Sequence, residues 1–101
     1  MRRAAKIDAN QPEIIRALRS IYGVTVTPTH TAGAGFPDLA VGFRGQTFLL
    51  EIKDGAKPPS ARKLTADQEQ WHREWTGQVA VVSNVREALE AIGIQFRGEI
   101  G

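Results

Sequence analysis

An α/β fold, a mixed sheet flanked by helices in the order αβββαβα(β), is predicted by three observations. Apolar residues recur at helical spacing after Asn10, at Ile14, Ile15, Leu18, Ile21 and Tyr22. Two short segments at 35–42 and 48–53 flank the tetrad Phe43-Arg44-Gly45-Gln46, the pattern of a hairpin with glycine near its tip. Further on, Val79-Ala80-Val81-Val82 runs apolar without interruption between two stretches of helical pattern. With 101 residues, the chain is read as one domain with room for a single modest core.

In chain order, residues 1–7 form a loose basic arm with Arg2, Arg3 and Lys6. Asn10 is placed to cap a helix running to about Tyr22, with Pro12 tolerated in its first turn and Gly23 stopping it. On a helical wheel Gln11 lies near the centre of the apolar stripe, whereas Glu13 is well round the polar side. Glu13 also stands three residues after Asn10, which is the spacing of a capping box. Val24-Thr25-Val26-Thr27 alternates as a first strand, ended by Pro28. A Gly- and Thr-rich loop then delivers the chain to Pro37-Asp38. His30 within it is either an exposed loop histidine or a contact for phosphate or a leaving group.

After the hairpin, residues 54–63 are loop by composition and carry Lys57, Arg62 and Lys63. Thr65-x-x-Gln68 opens a second helix with capping-box spacing. Trp71 and Trp75, four apart, point the same way and read as core rather than as platforms for bases. Gly77 ends that helix. The apolar run at 79–82 follows as a strand buried on both faces. Asn84 or Ser83 caps a last helix with Val85, Ala88, Leu89 and Ile92 inward, and Gly93 closes it. Ile94-Gln95-Phe96 is a candidate short edge strand.

Composition narrows the function classes. Cysteine is absent, which excludes disulfides, a thiolate nucleophile and a cysteine zinc site. No apolar run approaches the roughly 18 residues of a membrane span and no signal peptide is visible, so a cytoplasmic protein without a membrane partner is expected. The net charge is only +2, but basic residues cluster in the arm and from Lys53 to Lys63. Such clusters suit a phosphate backbone, a solvated surface being the alternative.

The hairpin carries the chemistry. If its turn is symmetric, opposed residues have numbers summing to about 89, so Leu39 faces Leu50 and Val41 faces Phe48. Ile52 extends that apolar face. Asp38 then stands opposite Glu51 on the other face, with Cβ atoms roughly 4.5–5.5 Å apart, and Lys53 follows Glu51 on the same side. Adjacent carboxylates repel unless a positive charge lies between them. A hard divalent cation with oxygen ligands would supply it, and a lysine beside them suits an anionic substrate or a nucleophilic water. The plain alternative is an acid pair on a solvated face, partly neutralised by Lys53.

The same residues carry a family resemblance. Pro37-Asp38, twelve intervening residues and Glu51-Ile52-Lys53 resemble the PD-(D/E)XK nuclease motif. Gly35-x-Pro37-Asp38-Leu39, Glu51-x-Lys53-x-Gly55 and Thr65-x-x-Gln68 together resemble the virus-type replication-repair nuclease (VRR-NUC) domain, over about residues 8–92. That domain also occurs as small stand-alone phage and prophage proteins. The resemblance implies the restriction-endonuclease-like core and a Mg²⁺- or Mn²⁺-dependent DNA endonuclease. Asp38, Glu51 and the Ile52 carbonyl would be the metal ligands, and Lys53 would position or activate the attacking water. Gln11 matches the helix-one glutamine of the pattern. The glutamate seen four residues ahead of it in many members is replaced here by Ile7, so Asp8 or Glu13 is left to complete the site. Gln68 would face the site from the second helix, and Lys57, Arg62 and Lys63 would contact DNA.

One site cuts one strand, so paired cuts in a symmetric substrate call for two subunits. Similar stand-alone proteins share their fold with junction resolvases, which work as dimers. A homodimer acting on branched DNA such as four-way junctions is therefore expected. An apolar and aromatic surplus (Phe36, Phe43, Trp71, Trp75, Phe96) would supply part of its interface. The competing reading is a non-catalytic nucleic-acid-binding module on the same fold.

Overall fold

A computed structural model describes residues 7–95. The basic arm, except Ile7, and Phe96 lie outside the described residues. The order is α1 (Gln11–Arg19), β1 (Thr25–Pro28), β2 (Leu39–Phe43), β3 (Gln46–Ile52), a 3₁₀ turn (Pro59–Arg62), α2 (Ala66–Glu74), β4 (Ala80–Val82) and α3 (Val85–Ala91). The strands form one mixed sheet in the order β1-β2-β3-β4. The first two pairings are antiparallel, and β3 with β4 is parallel. A parallel neighbour needs a crossover, which the segment containing α2 provides. The fold is α/β, as expected. Ile94 and Gln95 carry no strand, and the expected loop at 54–63 contains the 3₁₀ turn.

The hairpin fixes the register. Arg44 and Gly45 both have positive φ, 53° and 77°, the two-residue turn whose twist matches the flanking strands. Leu39 accordingly pairs with Leu50 and Val41 with Phe48. Against the face bearing Val26, Val41, Leu50 and Ile52, α1 contributes Ile14 and Leu18, α3 contributes Ala88 and Leu89, and Ile92 follows at the end of α3. Phe43 is also buried, so it belongs to the core rather than to a surplus.

Three local expectations are corrected. Asn10 sits in helical backbone and makes no capping bond. Its amide instead donates to the Lys53 carbonyl at 3.2 Å and the Ser83 carbonyl at 3.0 Å, because the ends of β3 and β4 offer acceptors there. Helix α1 stops at Arg19, and Tyr22 is 98% exposed rather than part of the apolar stripe. The helix ends before Gly23, which instead sits inside the following turn from Ile21 to Val24 with φ +86°. In β4, Val82 is buried but Val81 is 45% exposed, because an edge strand here is covered on one face only.

Caps account for the other helix ends. The Thr65 hydroxyl accepts from the Gln68 amide and the Gln68 side chain accepts from the Thr65 amide, the full capping box. Asn84 caps α3 through the Glu87 amide at 2.8 Å.

Candidate active site

The β2–β3 ladder ends with Leu39 opposite Leu50, and Asp38, one residue before β2, also donates its amide to the Leu50 carbonyl at 3.0 Å, one residue off the hairpin's register. Thr29 clamps this segment from the other side. Its amide donates to the Asp38 carbonyl at 2.7 Å and its hydroxyl to the Pro37 carbonyl at 2.8 Å. The backbone there is held on both sides, and Asp38 Oδ2 accepts from the Ile52 amide at 2.8 Å. The Asp38 and Glu51 carboxyls are neighbours, as expected, but the strand register ends at Leu39 opposite Leu50, and Asp38 does not continue it opposite Glu51.

Glu51 points away from the apolar core face yet is 1% exposed. Its Oε2 accepts from Gln68 Nε2 at 2.9 Å, while its Oε1 is buried with no partner. Burial first, then the Asp38 carboxyl as hydrogen-bonding neighbour and as charge, pushes the Glu51 carboxyl up to about 9; Lys53 opposes this. A neighbouring carboxylate can accept but not donate, so Glu51 Oε1 needs a proton held between the two acids, a cation or a water to satisfy it.

Gln68 joins the charged groups. Its Oε1 accepts from Lys53 Nζ at 2.8 Å and from the Thr65 amide at 2.9 Å, while its Nε2 serves Glu51. The amide orientation follows from the neighbours, since an ammonium only donates. One side chain thus caps α2 and spaces Lys53 from Glu51. The close approach of α2 to the 29–38 loop depends on Gly35, whose φ is +83° and whose added Cβ would run into the Asp67 carbonyl.

The remaining expected residues divide. Gln11 is 2% exposed, with Nε2 3.5 Å from His30 Nδ1 and Oε1 buried without a partner. Asp8 is half-buried and its charge reaches Glu51. Glu13 is not brought to these groups. It is exposed and lines a cavity of about 460 Å³ with Asn10, Asp54, Gly55 and Ser83. Lys57 and Lys63 are exposed on the stretch between β3 and α2, and Arg62 is half-buried with Nε lacking a partner.

Sequence reasoning missed Asn10 as the tie between two strand ends, and it missed His72. Burial, then the charge of Lys53, holds the His72 imidazole below its ordinary range, and its buried Nε2 has no partner. Its place four residues after Gln68 was the available signal, because that spacing shares a helix face. Trp71 and Trp75 were expected in the core, but α2 buries no residue.

Among the described residues, no three His, Asp or Glu side chains are grouped to hold a metal. A cation here would rest on two carboxylates plus main-chain oxygen and water. The donor set fits a hard cation: oxygen ligands from two adjacent acids, one of them with a buried oxygen that has no partner. No family model, no curated protein and no solved structure matches the chain.

Proposed function

We propose that the chain is a metal-dependent DNA endonuclease that hydrolyses phosphodiester bonds, built on the PD-(D/E)XK plan of VRR-NUC type. The observation that carries this reading is the pairing of Asp38 with a buried, partly orphaned Glu51, with Lys53 tied to the same glutamate through Gln68. A structural ion pair gives no reason to bury Glu51 beside another acid, since that raises the cost of its charge.

Asp38, Glu51 and the Ile52 carbonyl would hold Mg²⁺ or Mn²⁺. When bound, such a cation lowers the pKa of coordinated water and offsets charge on the scissile phosphate. Lys53 directs its ammonium at the reacting phosphate, orients the attacking water and stabilises charge that develops in the transition state. Gln68 fixes where that ammonium sits. Gln11 holds His30 at the margin of the site, and Lys57, Arg62 and Lys63 grip the strand. Branched DNA, such as a four-way junction cut by a homodimer, is the substrate class proposed. The chain supplies one such site, and two matched cuts need two copies.

The test is a panel of labelled linear, flapped and four-way DNA with Mg²⁺ or Mn²⁺, run beside calorimetric Mn²⁺ titration of the wild type and Asp38→Ala. Cleavage that EDTA stops, together with a Mn²⁺ site lost in Asp38→Ala, is the expected result. DNA binding without cleavage under any of these conditions would leave the non-catalytic module as the reading.

A further inference from the structure

Three aromatic rings form a ladder that starts at the candidate site and leads outward. Phe36, two residues before Asp38, meets Trp71 edge-on with centroids 5.3 Å apart. Trp71 then stacks on Trp75 at 4.7 Å with 19° between the planes. None of the three belongs to the core cluster or packs against it, and Trp75 is 41% exposed. The Trp75 ring is nonetheless fixed, for its Nε1 donates to the Gln78 carbonyl at 2.9 Å and Gly77 lies against the indole. An aromatic face held in place outside the core loses little freedom when a flat group settles on it.

The charges around the ladder select the group. Asp67 and Glu74 line a hollow of about 250 Å³ beside Trp71, with Ala34 and Gln70. Acidic walls repel a phosphate backbone but not an uncharged base. Basic groups lie at Lys53 and on the stretch with Lys57, Arg62 and Lys63 that precedes α2, while α2 itself adds only Arg73 and the His72 ring edge-on to Trp71. A strand gripped at that stretch by its phosphates can present a base swung out of the duplex to the indoles.

We propose that Phe36, Trp71 and Trp75 form a stacking platform for an unpaired base of the DNA strand held at Asp38, Glu51 and Lys53. The substrates preferred are therefore those with an unpaired base next to the cut, such as a flap or an open branch point. This inference rests on the nuclease reading, which places DNA at the site.

The chain contains only two tryptophans, Trp71 and Trp75, so its intrinsic tryptophan fluorescence reports on this ladder alone. Binding is measured in EDTA, where no cleavage is expected. Flapped DNA should quench the emission, blunt duplex should quench it far less, and an abasic unit at the unpaired position should remove the effect. Trp75→Ala should weaken binding of the flap about tenfold, with blunt duplex unaffected, since a base stacked on an aromatic side chain contributes an effect of about that size. Trp75→Phe should retain most of the affinity, and melting by circular dichroism checks that each variant is folded. Equal quenching by blunt duplex, or unchanged flap affinity in folded Trp75→Ala, would overturn the platform. Emission that changes on dilution without DNA would also overturn it, by assigning the ladder to contact between two copies. DNA that binds and is cut without quenching defeats the platform and leaves the nuclease reading standing. Failure to bind any DNA defeats both.

Discussion

On one face of the sheet, Ile14, Leu18, Leu39, Val41, Leu50 and Ile52 are wholly removed from solvent between the strands, α1 and α3. On the other, no residue of α2 is itself buried, and the helix is anchored by the Gln68 bonds, the Phe36–Trp71 contact and the seat that Gly35 leaves for its first turn. The first face is held by apolar burial, which is non-directional and scales with area. The second is held by directional polar bonds, each contributing about 1 kcal/mol net. Substitutions on the two faces should therefore register in different measurements, stability for one and chemistry for the other.

The largest expected separation is between Leu50 and its neighbours in sequence. Leu50→Ala should lower unfolding free energy by about 2–5 kcal/mol in urea titration, because the wholly buried site leaves a cavity. Lys53→Ala should instead cut the turnover rate by about two to three orders of magnitude, the range for loss of one transition-state partner, with little change in urea midpoint. Full cleavage by purified Lys53→Ala would break the division and the nuclease reading with it.

A pH series sharpens the comparison. Glu51 has a folded-state pKa of about 9 against an ordinary value of 4.5, so the folded chain keeps a proton that the unfolded chain releases across that window. The contribution to stability is full below about pH 4.5 and is lost as pH rises towards 9. In metal-free protein the melting midpoint should fall over that range, and Glu51→Gln should flatten the slope. Mn²⁺ affinity should rise with pH through the same window, because the ligand must lose its proton. A pH-independent affinity would place the cation away from Glu51.

The smallest effect compares two members of one capping box. Thr65→Ala should cost about 1 kcal/mol of stability and leave most of the cleavage rate, since it removes a cap alone. Gln68→Ala should cost a similar amount but also slow cleavage markedly, because it releases Lys53 and Glu51 as well. Equal rates in the two variants would reduce Gln68 to a cap.

What was legible in the sequence follows the same division. A two-residue turn sets the ladder from Phe43–Gln46 to Leu39–Leu50, so Arg44-Gly45 was enough to bring Asp38 beside Glu51, although Asp38 itself lies one residue off that register. Capping chemistry at Thr65 and Asn84 is local and was equally readable. Asn10 was misread because its partners, Lys53 and Ser83, are set by tertiary pairing and not by helix signals. Val81 and Trp75 were misread for one reason. Periodicity shows that residues share a face but not whether another element covers it, and nothing covers either of them fully. Lys53 and Gln68 were named as site residues, but their hydrogen bond depends on how α2 crosses the sheet, which no spacing encodes.

The two bonds from Asn10 also bear on timing. They join residues 43 and 73 positions apart, to the ends of β3 and β4, and β4 pairs with β3 along Leu50, Glu51 and Ile52. Contacts so distant along the chain close late, because the loop entropy is lost before they repay it. A growing polypeptide that already contains Asp38, Glu51 and Lys53 still lacks the strand that backs Glu51 and the acceptor that seats α1 until Ser83 has emerged. The hairpin can bring Asp38 and Glu51 together by itself, but the strand beside Glu51 and the seat of α1 are completed only once Ser83 exists.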